Sequence, residues 1–600
     1  MPLNSGMGAL RLVLLGSALL AALLPGCRSK LHAPPADPAA DSRADAALFS
    51  DVAGRAGIHF VHTNGAVGKF YYIEITPAGC AFVDYDGDGF PDILLIQSGP
   101  SGPLAPGQAR PHCALYHNNG DGTFTDVTAG SGLDKDLGYA QGVAVGDYDN
   151  DGYDDLFITS YPHNFLFHNE RGSGRFTDVT HKMGLDKPHS TGYATSAAFG
   201  DYDNDGRLDL CVCYYAPWTP SRDKPCQSPQ GSRDYCSPQI YDPDTPQLWH
   251  NDGGRFTDVT HRAGLDRAKG RGLAVAFLDD SGSGRQDIFI ANDITPNMLW
   301  RNNGDGTFIN VATRAGVAYA EGGQSMAGMG IGLADYDHSG RESLFLTNFS
   351  GQPKTLFRNI GRGLFEDVST VSGLSLPQMD FLSFGCEFLD YDADGWPDLI
   401  VANGHVQVHI AEMSAATTYA ERKQLFHNGG HGTFQEVTDP AALGDLALPT
   451  VARGLAVGDY DNDGRLDVLV NNQNGPAQLF HNQDSSPNHW VSFKTVGVRS
   501  NRDGCGARFT LVAGGVRQIG TVRAGSSYLS HSDGRVYFGL GAASRIAQVS
   551  VRWPSGARDE IRGLAADAVY VVTEGRGVTA RQPPGPRRAR IRPEMRPTRK

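Results

Sequence analysis

The sequence predicts an all-β protein: a seven-bladed β-propeller followed by a small antiparallel β-domain. Three observations carry this reading. A nine-residue Asp motif recurs seven times, a turn flanked by two short strands recurs between its copies, and no long 3.6-residue periodicity interrupts them. The 600 residues, 40% hydrophobic and 20% charged, are more than one core usually organises. The formal charge of −14 is uneven, because residues 575–600 hold nine Lys/Arg and one acid, about +8, leaving roughly −22 for the rest. That balance excludes a nucleic-acid binder.

The Asp motif has the form D-x-D-x-D-G-x-x-D. Five copies are complete: Asp84, Asp86, Asp88 and Asp92; Asp147, Asp149, Asp151 and Asp155; Asp201, Asp203, Asp205 and Asp209; Asp390, Asp392, Asp394 and Asp398; and Asp459, Asp461, Asp463 and Asp467. Two copies are decayed, DDSGSGRQD from Asp279 and DYDHSGRES from Asp335. Successive motifs start 63, 54, 78, 56, 55 and 69 residues apart, room for a four-stranded antiparallel unit with loops. The second motif is LYHNNGDGTFTDVT from Leu115 and LFHNGGHGTFQEVT from Leu425, with similar copies from Leu166, Leu248, Leu299 and Leu356.

The ends of the array show its phase. Phe49 to Val52 repeats the last strand of a unit with nothing before it, and Leu479 to Asn482 repeats the third strand with nothing after it, so seven whole units span residues 49–487. Radial closure protects sheet edges, which favours a propeller over an open β-solenoid.

Four carboxylates converging on one turn repel one another unless a cation sits among them. Hard oxygen donors in that number suit Ca²⁺ better than Mg²⁺ or zinc. An EF-hand would need an acid at the twelfth position, where Leu95, Ile158, Val212, Val401 and Val470 stand instead. The loops resemble the calcium loops of integrin-type FG-GAP repeats, and about five structural Ca²⁺ are expected. Ser281 and Ser283 weaken the fourth loop, and Ser339 and Ser343 the fifth, so neither is assigned a metal.

His117, His168, His250, His427 and His481 share one repeat position, where Arg301 and Arg358 stand in units four and five; they read as strand residues rather than ligands. His405 follows the run DLIVAN, where other units carry Asn292-Asp293, Asn348 or Asn472, and reads as a satisfied loop His at a propeller face. No P-loop, GxSxG, HExxH or paired CxxC occurs.

The N-terminal apolar run Leu12–Leu24 is too short for an ordinary membrane span and reads as a secretory signal over residues 1–27. It ends in Leu24-Pro25-Gly26-Cys27, which resembles a bacterial lipobox with Cys27 as the lipidated residue. Residues 28–48 suit a flexible tether. Export permits disulfides, and Cys226 with Cys236, ten residues apart in the loop-like insertion Tyr214–Tyr241 of the third unit, form the expected bridge. Cys80 and Cys386 read as buried thiols.

After Pro487 the texture changes to alternating strands, an independent β-domain over residues 488–574, with a basic disordered tail at 575–600. Asn488-His489-Trp490, Ser500 to Gly504, Gly525-Ser526-Ser527-Tyr528, His531-Ser532-Asp533 and Val551 to Gly556 match the ASPIC/UnbV domain. With the Asp ladders and Tyr235-Cys236-Ser237-Pro238, the chain resembles the FG-GAP/VCBS-repeat proteins of the cartilage acidic protein family. The resemblance implies an extracytoplasmic calcium-binding propeller.

Arg502, Asp503, Arg508, Tyr528, Asp533, Arg552 and Trp553 are candidates for a polar recognition surface. The expected function is a lipid-anchored binding, adhesion or scaffold module for protein or glycan at the cell envelope, acting as a monomer. The alternative is a secreted carbohydrate lyase or hydrolase that uses the propeller face, with Glu387 and His405 as starting points. A Cys27→Ser variant is expected to move from the membrane to the soluble fraction; wild type already soluble after an ordinary signal-peptidase cut overturns the lipobox reading.

Overall fold

A computed structural model describes residues 47–585 except 103–106, 108–110, 188–191, 229–230, 376–377 and 415. The proposed lipidation site Cys27 and nearly all of the tether lie outside the described residues. Residues 49–482 form a β-propeller of seven four-stranded antiparallel sheets. Each sheet starts with a strand that ends at an Asp motif, such as Tyr139–Gly146. It continues through a second strand after that motif (Asp155–Tyr161), a third (Phe165–Asn169) and a short fourth (Phe176–Asp178). The first strands pack on one another in chain order, and the last, Ala452–Gly458, packs on the first, Cys80–Val83. In the last sheet the fourth strand is Phe49–Asp51, from the start of the array, with Phe49 opposite Asn482.

Seven equivalent hydrogen bonds join neighbouring sheets. The Asn that closes each Leu-x-His/Arg-Asn strand donates its side-chain amide to the carbonyl of the second motif residue of the preceding sheet. Asn169 thus reaches Tyr85, Asn251 Tyr148, Asn302 Tyr202, Asn359 Asp280, Asn428 Tyr336 and Asn482 Tyr391. Asn118 reaches Tyr460 across the closure. The distances are 2.6–3.2 Å and every one of these Asn is buried.

The C-terminal domain is two four-stranded sheets. One holds Val536–Gly541, His489–Val496, Val569–Thr573 and Gly577–Gln582; the other holds Val516–Thr521, Arg508–Ala513, Arg545–Arg552 and Arg558–Ala565. Three expectations are corrected here. The pair His489–Val496 and Val569–Thr573 is parallel, so the domain is not purely antiparallel. Its last strand extends to Gln582, into the segment assigned to the tail, because Gly577–Gln582 has a free sheet edge to pair with. The domain is also not independent: Val491, Phe493, Phe509, Val551 and Trp553 share one apolar core with Tyr148, Phe157, Leu210 and Trp249 of the propeller.

The segment Ala524–Asp533 leaves that domain and enters the propeller axis. Its backbone exchanges hydrogen bonds with Phe199, Val143, Ile331, Cys80, Phe82 and Val457, which lie on five different first strands. Ser527 also binds Cys386 N and Leu455 O, and Tyr528 donates to Thr76 O at 2.6 Å. The close approach needs glycine, since a Cβ on Gly142 would sit 2.9 Å from Leu529 Cα. The Cys226–Cys236 disulfide is present and ties the insertion of the third sheet, which carries its own short hairpin. Cys80, Cys113, Cys211, Cys213, Cys386 and Cys505 are free and buried.

Asn251 satisfies two buried carbonyls, Tyr148 and Leu208. Asn251→Ala is expected to cost about 1–3 kcal/mol, read as a lower urea midpoint with or without calcium; an unchanged midpoint removes the Asn circle from the forces closing the ring.

Candidate functional site

The Asp loops connect first and second strands on the face covered by the C-terminal domain. In all seven, the first Asp accepts the backbone N–H of the sixth residue, a glycine, at 2.6–3.2 Å. That glycine has φ between +78° and +98°, which a side chain would strain. The bond between the first Asp and the sixth glycine is common to all seven turns, and this explains why the decayed loops keep the same shape.

The ninth Asp turns inward. Its Oδ1 accepts the N–H of the circle-forming Asn, as from Asn118 to Asp92 at 2.7 Å, and its Oδ2 accepts the N–H of the second motif residue. In the fifth sheet Ser343 replaces the ninth Asp and its hydroxyl takes the bond from Asn359 at 3.1 Å.

The third Asp of each full loop lies 20–36% exposed beside the strand histidine. The reading of these histidines as strand residues is incomplete, because their rings face the loop. Nδ1 is 3.1–3.3 Å from the ninth carboxylate and 3.3–3.9 Å from the third. For His250 and His481 the shorter contact is a hydrogen bond. For His117, His168 and His427 it is misaligned, leaving a buried ring nitrogen aimed at carboxylates without a hydrogen-bond partner. Each full loop gathers two carboxylates and the imidazole within 4.8 Å: Asp86, Asp88 and His117; Asp149, Asp155 and His168; Asp203, Asp205 and His250; Asp392, Asp394 and His427; Asp461, Asp467 and His481. The signal was present in the sequence, because His accompanies the five full ladders and Arg the two decayed ones.

In the decayed loops arginines stand among the acids. Asp280 replaces the usual Tyr and pairs with Arg301, while Arg552 of the C-terminal domain binds Asp279 at 2.9 Å. In the fifth loop Arg523 pairs with Glu342, and Arg508 donates to the Gly340 carbonyl. Burial alone would raise Glu342; Arg523 outweighs it and holds the carboxyl below its ordinary value. In the full loops cations reach first or fifth acids, Lys494 on Asp84 at 2.7 Å, Arg207 on Asp205 and Arg465 on Asp463, while among the described residues the third and ninth acids have only the strand histidine as an ion-pair partner. Burial lifts Asp92 and Asp155 to about 7 and Asp209 to about 6, opposed by their histidines. The Asp155 carboxylate in turn raises His168 to about 8.

The candidate recognition residues fall largely between the domains. Asp503 accepts Asp147 N at 2.9 Å, Arg502 N donates to Asn150, and Tyr528 is fully buried in the axis. Asp533 is clamped by Arg535, and Trp553 binds Asp559 within its own domain. They dock the cap rather than present a free surface.

Glu387 and His405 do not converge. Glu387 is held under the cap by Ser526 and Ser532, whereas His405 is fully buried at the other end of the same hairpin, with Gln407 N on its Nδ1 at 3.0 Å.

The open face carries a cavity of about 310 Å³ at the axis. Tyr72, Tyr215, Met329 and Phe384 form its inner walls, Tyr235 of the disulfide-tied insertion and Phe349 its mouth, and the buried carboxylate of Asp293 lies in the wall.

Residues 84–158, 147–212, 281–346 and 402–470 match the FG-GAP-like repeat family, and residues 497–579 match the ASPIC and UnbV family. Cartilage acidic protein 1 of Xenopus tropicalis is 25% identical over 511 residues, 80% of this chain and 70% of its own. That of Mus musculus is 25% identical over 530 residues, 83% and 73%. Among solved structures, BBS1N in complex with ARL6DN gives a TM-score of 0.39 at 10% identity over 73% of this chain and 98% of that one. BP39L lectin from Burkholderia pseudomallei gives 0.41 at 9% over 68% and 96%.

The crowded acids predict a pH dependence. Without metal, the folded state keeps protons on Asp92 and Asp155 up to about 7 that an unfolded Asp releases near 3.8, so it binds more protons and loses stability as pH rises between those values. His168 acts in the same direction from 6.5 to about 8. In chelator, Tm is expected to fall from pH 5 to pH 8; a flat or rising profile overturns this electrostatic account.

Proposed function

We propose that this chain, an FG-GAP-repeat protein that ends in an ASPIC and UnbV domain, is a calcium-organised binding module of the cell envelope. The capped face holds the ions, and the open face engages protein or glycan. The observation that carries the proposal is the contrast among seven loops of one shape. Five set third and ninth carboxylates against a strand histidine with no other ion-pair partner among the described residues, and two carry an arginine at that strand position and receive Arg552 or Arg523 from the cap.

The residues suit a hard cation. The third, fifth and ninth Asp supply oxygens, the first supports the turn, and the histidine orients the ninth carboxylate from behind. Bound calcium neutralises the cluster and stabilises the folded state by linkage, about 2.7 kcal/mol per site at a hundredfold excess over Kd. The ninth Asp also holds the Asn of the inter-sheet circle, so ion binding at a loop reinforces the junction between neighbouring sheets.

The envelope assignment rests on the secretory run, on Cys27 in its lipobox-like setting and on the Cys226–Cys236 bridge, which belongs in an oxidising compartment. The separation of Glu387 from His405 takes away the residues from which the lyase or hydrolase reading started.

Asp149 is 36% exposed beside His168; burial raises its carboxyl above the ordinary value, His168 draws it back and Asp151 repels it. Asp149→Ala is expected to leave stability in chelator within about 0.5 kcal/mol and to remove one site's share of the calcium-induced gain. Asp147→Ala, which releases Asp151 N and Gly152 N, is expected to lower stability in both conditions. Calorimetry with and without calcium distinguishes them. An unchanged melting curve on calcium addition to chelated wild type, with no calcium in the purified protein, overturns the proposal.

A further inference from the structure

The cavity on the open face is built from parts that the calcium loops do not use. Two tyrosines and one carboxylate meet in it: Tyr215 Oη donates to Asp293 Oδ2 at 2.5 Å, Tyr72 Oη lies 2.6 Å from Tyr215 Oη, and it reaches the same Oδ2 at 3.3 Å. Both hydrogen bonds described for this carboxylate fall on Oδ2, which leaves Oδ1 for a donor from a ligand. Asp293 is 7% exposed, and it is the one carboxylate in the described lining, which includes no His, Lys or Arg.

Apart from Thr76, Ser237, Gln352 and Gln407, the rest of the wall is apolar or aromatic and includes Phe349, Phe384, Met329 and Tyr235. Its charged neighbours lie behind the wall with their donors engaged. Arg271 gives its guanidinium to the carbonyls of Tyr241, Asp293 and Ile294, and Arg453 gives its own to those of Ile75, Gly404, Ala452 and His405. Glu74 is held by Tyr235 and Ser101.

Ile294, next to Asp293, stands at φ +49°, a conformation that a β-branched residue adopts only when its surroundings impose it. Its N–H on Met326 O helps to hold the turn, which positions the carboxylate at the cavity.

We propose that this cavity binds a small protonated amine with an apolar or aromatic body, the ammonium group on Asp293 Oδ1 and the body against Phe349, Phe384 and Met329. A polyhydroxylated sugar needs many directed polar partners; this wall offers Asp293, Gln352 and Gln407, and its hydroxyls are already engaged, Tyr72 and Tyr215 with Asp293, Tyr235 with Glu74, Thr76 with Ile73 O and Gln141, and Ser237 with Gln239 N. An aryl-alkyl amine needs one buried carboxylate and aromatic surroundings, and gains cation–π attraction from the rings. The site lies away from the Asp loops, so its occupancy is separate from calcium binding.

The test titrates full-length, calcium-loaded protein by calorimetry with 2-phenylethylamine and with its neutral counterpart 2-phenylethanol. The expected result is saturable amine binding at least tenfold tighter than the alcohol. Asp293→Asn is expected to lose at least tenfold in amine affinity while leaving the alcohol within twofold. Phe349→Ala, at the half-buried mouth, is expected to weaken both ligands alike and so to place them in this cavity. Equal affinity for the two ligands in wild type, or no saturable amine binding at millimolar concentration, overturns the proposal without recourse to any variant. Unaltered amine affinity in folded Asp293→Asn or in Phe349→Ala overturns it equally, and none of these outcomes bears on the calcium dependence of Tm.

Discussion

The propeller depends on one repeated relay. A ninth-position Asp accepts a backbone N–H from an Asn, and that Asn donates its side-chain amide to the carbonyl of the preceding sheet's loop. Every member is buried, so a missing partner would leave a polar group unpaired in a low-dielectric interior, at a cost larger than the bond's net worth. Seven copies make a circle that no open array can complete, because Asn118 needs Tyr460 across the closure. The fifth sheet shows which part of the relay is indispensable. Ser343 gives up the carboxylate and keeps an oxygen for Asn359.

The cap is fixed by the same economy of hydrogen bonding. First strands of a propeller leave backbone groups facing the axis, and Ala524–Asp533 satisfies many of them while closing one end of the channel. Glycines at 79, 142 and 454 admit that segment where a Cβ would collide with backbone or side-chain atoms. One domain thus supplies the filling of another domain's axis, and their apolar cores merge. The consequence is an asymmetric disc: one face carries the Asp loops under the C-terminal domain, and the other offers an aromatic cavity.

Charge is distributed over the loops by the same logic. Where a ladder keeps its acids, the strand supplies a histidine; where it loses them, arginines enter from the strand or from the cap, although burial still lifts Asp287 to about 8 and Asp335 to about 7. In two of seven loops guanidinium groups thus stand beside the remaining acids while the turn keeps its local geometry.

The sequence by itself determined the repeat, its phase, the short strands and the turn chemistry, because each of these is set within nine or so residues by Asp, Gly and strand alternation. It also determined the pairing of Cys226 with Cys236, a local staple in a loop, and the resemblance carried by the motifs after Pro487. Only the tertiary structure decided which motifs are buried. Tyr528 and Asp533 were candidates for a polar surface, yet the segment that carries them fills the axis, since its partners come from strands as far away as Cys80, 450 positions from Ser530. The histidines looked like strand punctuation until folding set each ring beside its ladder. The cavity was the least legible feature. Tyr72, Tyr215, Asp293 and Phe384 share no spacing or motif, and they meet because radial closure brings the ends of different sheets to one axis. Side chains that converge by closure leave no period in the chain.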